Sequence, residues 1–390
     1  MEDEFIEIYD DLNIENFSLN SDKKIITVIQ KNKVKFFSTN NFKEFSDNLG
    51  DKLNNIKICL PIYSSEYVLL VGNKENKIFK YNSINIYNLE NEEILAKINI
   101  NLEEEEEINN LYIILENLFI LTNNKIYYFD IVTLKLIYIF EDVKGSKNLV
   151  KISNDNLKIV LCYVSNLNPN VIKVIKIKFP ERLTLNKKGQ ILYSQSLLTT
   201  DFNIIQFISV SPLGKYLAVI NEEGSKINIY SLRSYKARKF LWIGNGKVNI
   251  IECLFDNESK YLCVLTVQKT FYIYSILRRY IKKIKNQSFI NKINENEEQK
   301  NANKEIKESS KITGLFKYIR NKWGTKYIES FAKYKNTKIT DFDIMGFYFN
   351  EKKEIMAIDK IGKILVIKFN KKNGGMCWLH EKKYLEVNDS

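Results

Sequence analysis

The stretch ISVSPLGKYLAVINEEGSKINIYSL, residues 208 to 232, holds an apolar run, a polar turn, a second apolar run, another turn and a third run ending in aromatic and β-branched residues. The same order recurs in CLFDNESKYLCVLTVQKTFYIYSI at 253–276, FSLNSDKKIITVIQKNKVKFFS at 17–38 and FYFNEKKEIMAIDKIGKILVIKF at 347–369. Lys215 of SPLGKYL and Lys260 of DNESKYL stand 45 residues apart, within the repeat length of roughly 40–45 residues of WD40-type blades. Each of the four stretches reads as strands two to four of such a blade.

Working outward, weaker copies fill the gaps. They are YVLLVGNKENKIFKYNSINIYNL at 67–89, LENLFILTNNKIYYFDIVTLKLIYIF at 115–140 and LVKISNDNLKIVLCYV at 149–164. Together they make seven. The runs are short, rich in Ile, Val, Tyr and Phe, and bounded by Asn, Asp, Gly and Ser, which is strand rather than helix patterning. The expected fold class is all-β, a seven-bladed WD40-like β-propeller spanning 1–390 as one domain. A β-sandwich or a pair of barrels would lack the regular period.

Composition narrows the function. The 390 residues are 45% hydrophobic, enough for a large core, with 4 Pro, 14 Gly and an abundance of Asn, Lys and Ile. Cys59, Cys162, Cys253, Cys263 and Cys377 are odd in number, scattered and never in a CxxC spacing, so they suggest core positions in a reducing compartment rather than disulfides or zinc. MEDEFIEIYDDLN at the start lacks a basic stretch followed by an apolar one, and no apolar run is of membrane-spanning length. The expected location is the cytosol.

The single histidine, His380, removes Ser-His-Asp and Cys-His nucleophile systems and histidine-based metal sites. No P-loop or GxGxxG occurs, and Gly374-Gly375 reads as a turn. Neither an enzyme nor a cofactor is expected. The acidic run Glu103–Glu107 reads as a solvated loop between blades, or as a docking point for a basic partner segment.

Charge is uneven. Residues 276–335 carry 16 Lys and Arg against 6 Glu, ten of the twelve net positive charges, on an otherwise near-neutral body. Residues 282–313 have the polar, aromatic-poor composition of a mobile loop, and the inserted basic loop is taken as 282–320. In GLFKYIRNKWGTKYIESF, Leu315, Phe316, Ile319 and Trp323 fall on one helical face among basic residues, an interfacial pattern that Gly324 interrupts. Trp323, with Ile328 and Phe331, also reads as packing for blade seven. Arg278, Arg279, Lys282, Lys283 and Lys285 form the base of the loop. Near an anionic leaflet each contributes roughly 1 kcal/mol, so together they could hold the chain weakly on a membrane. Nucleic acid is disfavoured because no aromatic stacking platform accompanies the charge.

The blades in order resemble the PROPPINs, the WIPI-type propellers that bind phosphoinositides. LVGNKENKIFKYNSINIYNL resembles that family's second blade, ILENLFILTNNKIYYFDIVTLKLIYIFE its third, ISVSPLGKYLAVINEEGSKINIYSL its fifth, NKWGTKYIESFAKYK the stretch before its last blade, and NGGMCWLHEKKYL its close. The resemblance covers nearly the whole chain. It implies a non-enzymatic adaptor, working as a monomer at autophagic, endosomal or other organelle membranes. It also implies partner proteins on blade loops and head-group pockets for phosphatidylinositol 3-phosphate and the 3,5-bisphosphate.

The chain departs from the family at those pockets. Where the family has Phe-Arg-Arg-Gly between blades five and six, this chain has Leu241-Trp242-Ile243-Gly244 within KFLWIGNGKVNIIECLF. Adjacent strand residues point to opposite sides, which lets two neighbouring arginines serve two pockets. Each would supply charge-assisted bonds of roughly 1.5–3 kcal/mol to phosphate. The supporting family positions have drifted to Asp201, Asn228 and Tyr272. Gly244, the hydroxyls of Ser225, Thr266 and Thr270, and Lys236, Arg238 and Lys239 nearby are what the resemblance retains. Phosphoinositide binding is therefore expected to be weakened. A propeller scaffold with no lipid role is the alternative.

Overall fold

The four strongest repeats fold through one device at the turn after their first strand. Asp256 Oδ1 accepts the backbone N–H groups of Lys260 and Tyr261 at 2.6 and 2.7 Å. Ser211 Oγ does the same for Lys215 and Tyr216, Asn20 Oδ1 for Lys24 and Ile25, and Asn350 Oδ1 for Glu354. A short polar side chain thus takes the place of a backbone acceptor and fixes the turn. Three residues after each cap the backbone turns left-handed: Lys23 (φ 58°), Gly214 (59°), Ser259 (58°) and Lys353 (62°). This shared geometry underlies the repeat visible in the sequence.

The computed structural model describes residues 12–31, 33–45, 53–154, 158–178, 193–244, 246–276, 327–328, 332–334, 342–369 and 377–386. They form seven sheets, one per repeat and in chain order, antiparallel throughout except for one parallel pair in the fifth. The first is β1 (Asn16–Leu19), β2 (Ile25–Gln30) and β3 (Lys33–Ser38). The second runs β4 (Ile56–Pro61), β5 (Tyr67–Gly72), β6 (Ser83–Asn88) and β7 (Glu93–Asn99). The third is β8 (Asn110–Ile114), β9 (Asn117–Leu121), β10 (Ile126–Asp130) and β11 (Lys135–Phe140). The fourth is β12 (Val150–Asn154), β13 (Lys158–Val164), β14 (Val171–Lys178) and β15 (Tyr193–Thr199). This is the expected seven-bladed propeller.

The site lies on the next two blades. Blade five holds β16 (Ile205–Val210), β17 (Tyr216–Asn221), β18 (Lys226–Ser231) and β19 (Ala237–Trp242). Blade six holds β20 (Ile250–Phe255), β21 (Tyr261–Thr266) and β22 (Phe271–Ser275). After residues 277–326, β23 (Tyr327–Ile328) and β24 (Ala332–Tyr334) follow. Blade seven is β25 (Ile344–Phe349), β26 (Ile355–Asp359), β27 (Lys363–Phe369) and β28 (Cys377–Tyr384).

The first strands of adjacent blades touch one another around a central cavity of about 1320 Å³, whose lining includes Tyr112, Lys151 and Glu252. The four quoted stretches therefore supply strands one to three of their blades, not two to four as their sequences suggest. Second strands such as β21 are buried along their whole length and read as continuous apolar runs. Outer strands such as β19 and β7 alternate or are largely exposed, and so carry weaker signals.

Apolar clusters fill the spaces between blades. Phe207, Leu241, Ile243, Val264 and Tyr274 pack together between blades five and six. The ring closes where Glu386 donates its N–H to the Phe42 carbonyl and accepts from Glu44, both at 2.9 Å. Cys59, Cys162, Cys253 and Cys263 are buried, and burial pushes the thiol pKa values of the first three up. The side chain of Cys377 lies outside the described residues, as does Gly374-Gly375. His380 is exposed.

The acidic run lies in the expected loop between blades two and three, with Glu103, Glu104 and Glu105 exposed, but it is more tightly held than a solvated loop. Glu106 is buried and accepts the Thr122 hydroxyl, Glu107 pairs with Lys57 and Lys74, and Glu103 pairs with Lys125. These lysines come from 22 to 50 residues away in the chain, so sequence neighbours alone did not reveal them. The loop between blades two and three is clamped by charge.

Candidate functional site

Trp242 and Ile243, where the resemblance implies paired arginines, lie at the end of β19 and just beyond it, where alternation places them on opposite sides. Leu241 and Ile243 are buried in the cluster between blades five and six, 0% and 7% exposed. Trp242 faces the other way and is partly exposed; it pairs with Lys226, whose ammonium sits 5.9 Å from its ring centre. The two-sided geometry that would serve two pockets is thus intact. One side has been absorbed into the core and the other presents an indole under a lysine. Trp242 adds a backbone tie, its carbonyl accepting the Tyr274 hydroxyl at 2.8 Å.

The retained hydroxyls face inward. Ser225 is 2% exposed and donates to the Glu223 carboxylate at 3.3 Å. Thr266 and Thr270 are 0% and 2% exposed; their hydroxyls donate to the carbonyls of Thr270 and Gln268, each at 3.4 Å. A head-group phosphate would have to displace these partners, and at Ser225 it would meet a carboxylate. Glu223 is the residue that the sequence reading missed. The only signal was its place beside Glu222 in the turn before the retained serine.

Backbone contacts close the same ground. Gly224, at φ +70°, lies so near the chain passing from blade five to six that an added Cβ would come within 1.8 Å of the Val248 carbonyl oxygen. Val248 donates to the Glu223 carbonyl at 2.6 Å, and Ile243 to the Ser225 carbonyl at 2.9 Å. By contrast Gly244 has open space around it.

The basic residues divide. Lys239 is buried, 8% exposed, and its ammonium donates to the Ser275 carbonyl at 3.1 Å, pinning β19 to blade six. Lys236, Arg238 and Lys247 are exposed, the first two at the start of β19 and Lys247 beyond its end. Of the drifted positions, Asp201 is exposed, Asn228 is buried and contacts the Tyr230 hydroxyl at 3.4 Å, and Tyr272 is partly exposed.

The loop residues Arg278, Arg279, Lys282, Lys283, Lys285, Leu315, Phe316 and Trp323 lie outside the described residues, as does the 282–320 insertion. The backbone of the chain's return from it is described at β23 and β24; the side chain of Ile328, expected to pack blade seven, lies outside the described residues. β23 adds a fifth strand to blade five, running parallel to β19 with Phe240 opposite Tyr327 and Leu241 opposite Ile328. β24 then completes blade six against β22. The unpaired edge of β19 offers hydrogen-bonding groups that β23 takes up.

No protein-family model matches the chain, and no curated protein matches it in sequence. Solved structures do match in shape. Kluyveromyces lactis Hsv2 with its complete loop 6CD superposes with a TM-score of 0.68 at 12% identity, over 96% of this chain and 99% of that one. Kluyveromyces marxianus Hsv2 gives 0.67 at 11%, over 96% and 99%. KlAtg21, in its complex with the coiled-coil of AgAtg16, gives 0.64 at 16%, over 96% and 100%. The chain therefore has the seven-bladed propeller fold of the Hsv2 and Atg21 structures, as its resemblance to the PROPPINs implies.

Proposed function

We propose that this chain is a non-enzymatic, PROPPIN-like adaptor at membranes of autophagy or endosomal and organelle traffic. In this reading charge guides it to anionic bilayers, and stereospecific head-group pockets no longer do. The observation that carries the reading is the fate of the paired-arginine positions: Ile243 is buried in the core, and the Ser225 hydroxyl is bound to Glu223. The exposed side chains of Lys236, Arg238 and Lys247, together with the basic segment 276–335, supply positive charge for an anionic leaflet. On this reading the chain is cytosolic, monomeric and recruited peripherally, and it does not bind nucleic acid.

The likeness to KlAtg21 in its complex with a coiled-coil supports protein partners on the blades. A second reading, a scaffold with no lipid role, is favoured by the same closed pockets. Co-sedimentation separates the two. Vesicles carrying phosphatidylinositol 3-phosphate and vesicles carrying phosphatidylserine at equal charge are compared on wild type and on a variant lacking 282–320. Equal retention on both, lost with the deletion, supports the charge-guided adaptor. Retention on neither supports the scaffold, and a phosphoinositide preference that survives the deletion refutes the loss of the pockets.

A further inference from the structure

The outer strand of a propeller blade leaves one backbone edge without a neighbour, and its sequence shows how that edge is guarded. Here β3, β7, β11, β19, β24 and β28 all carry at least one lysine. Four of them, β7, β11, β19 and β28, also meet their neighbours through a register shift, which bends the edge. The outer strand of blade four, β15, has neither device. It reads YSQSLLT, without a charge, a proline or a glycine, and pairs with β14 along its whole length in one register. Among the described residues it is the last strand of its sheet.

The ladder fixes which groups are left over. Thr200 donates its N–H to the Asn170 carbonyl at 3.0 Å, one step past the pair of Thr199 with Val171. Backbone groups alternate along an antiparallel strand, so Ser194, Ser196 and Leu198 bond inward to β14, and the N–H and C=O groups of Gln195, Leu197 and Thr199 point outward in the plane of the sheet. Side chains alternate between the two faces. Leu198 is 5% exposed in the cluster between blades four and five, whereas Leu197, on the opposite face, is 63% exposed. The lysines opposite Leu197 and Ser194 on β14 are already engaged: Lys173 by the Asp142 carboxylate at 2.9 Å, and Lys176 by the Leu232 carbonyl at 2.6 Å.

Blade five shows such an edge in use within this chain, where β23 adds beyond β19. We infer that the outer edge of β15 is a docking site for an extended, uncharged segment of a partner protein, which adds to blade four as a fifth strand. The occupant is extended because the groups that await it are backbone donors and acceptors at every second residue, the spacing of another strand. It is uncharged because the edge carries no charge and the lysines behind it are taken. Leu197 on one face and Ser194 and Ser196 on the other call for apolar residues alternating with hydroxyl-bearing ones.

The test uses the full chain and a short fluorescein-labelled peptide alternating Val and Thr, read by fluorescence polarisation. The same peptide with every amide N-methylated cannot pair and is the control. The first is expected to bind and the second not. Gln195→Pro removes an outward N–H and leaves the inward bonds of Ser194 and Ser196 in place, and Q195K/L197K supplies the charges that the other edges have. Each is expected to weaken binding about tenfold or more, while Q195T/L197V keeps it; circular dichroism shows that each variant is folded, and the lysine pair decides if the proline variant is not. No binding, equal binding of the methylated peptide, or binding indifferent to Q195K/L197K would overturn the inference. So would sedimentation showing wild-type self-association that Q195K/L197K abolishes, which would assign the edge to a second copy of the chain. A protein partner belongs to the adaptor reading above, but this assay contains no bilayer, so its failure and that of the vesicle comparison are distinguishable.

Discussion

Restoring an arginine at Ile243 will cost the fold far more than restoring one at Trp242. Ile243 is 7% exposed and packed with Phe207, Ile227, Val248 and Tyr274. Full burial of such a side chain is worth about 1.5–3 kcal/mol. An arginine there must also carry its guanidinium out to water or bury it, so Ile243→Arg is expected to lose about 3–4 kcal/mol. Trp242 is partly exposed and its contact with Lys226 is a rim cation–π pair worth about 0.5–1 kcal/mol. Trp242→Arg is expected to lose about 1–2 kcal/mol, including the new repulsion from Lys226. Urea unfolding followed by both fluorescence and circular dichroism measures the two losses. If Ile243→Arg costs less than about 1 kcal/mol, or no more than Trp242→Arg, the claim that this position has been absorbed into the core is wrong.

Ser259 combines a left-handed backbone with a buried hydroxyl that has no hydrogen-bond partner among the described residues, at the turn where blade five uses Gly214. Ser259→Gly removes both and is expected to stabilise by about 1–2 kcal/mol net of the added chain entropy, raising Tm by about 2 °C in a chain of this size; no change or a fall would contradict the turn geometry. Gly224→Ala would drive a Cβ into the Val248 carbonyl and is expected to cost about 3 kcal/mol or more, read by the same urea titration. Glu107 and Glu258 are held down to about 2, the first by Lys57 and Lys74 and the second by Lys260 and Lys353. Because their folded pKa values lie below the unfolded ones, the stability they contribute is present above about pH 4.5 and is lost as pH falls toward 2. A thermal scan against pH should show that acid limb, shallower in high salt because both pairs are solvent-accessible.

The fold was legible because the turn caps are encoded locally: Asn20, Ser211, Asp256 and Asn350 each precede a second strand by a fixed few residues. Continuous apolar runs such as YLCVLT marked strands buried on both faces. Outer strands were harder, since ARKFLW sets two adjacent charged residues before three apolar ones and shows no clean strand alternation. The assignment of the quoted stretches to strands two to four slipped for that reason. At the site, the resemblance pointed to Trp242 and Ile243 but not to what surrounds them in the structure. That Ile243 joins the core, that Ser225 is bound to Glu223, and that β23 pairs with β19 depend on contacts between segments distant in the chain. The pairing of Glu107 with Lys57 was hidden in the same way.

The central claim is that the head-group pockets are closed while the propeller is kept. Calorimetric titration of the wild-type chain with the soluble inositol 1,3-bisphosphate head group, at physiological salt and without any bilayer, addresses it most directly. The account predicts no saturable heat, because no arginine remains at Trp242 or Ile243 and the hydroxyls of Ser225, Thr266 and Thr270 are already engaged. Saturable binding in the micromolar range, abolished by substitutions at Ser225 or Thr266, would contradict it.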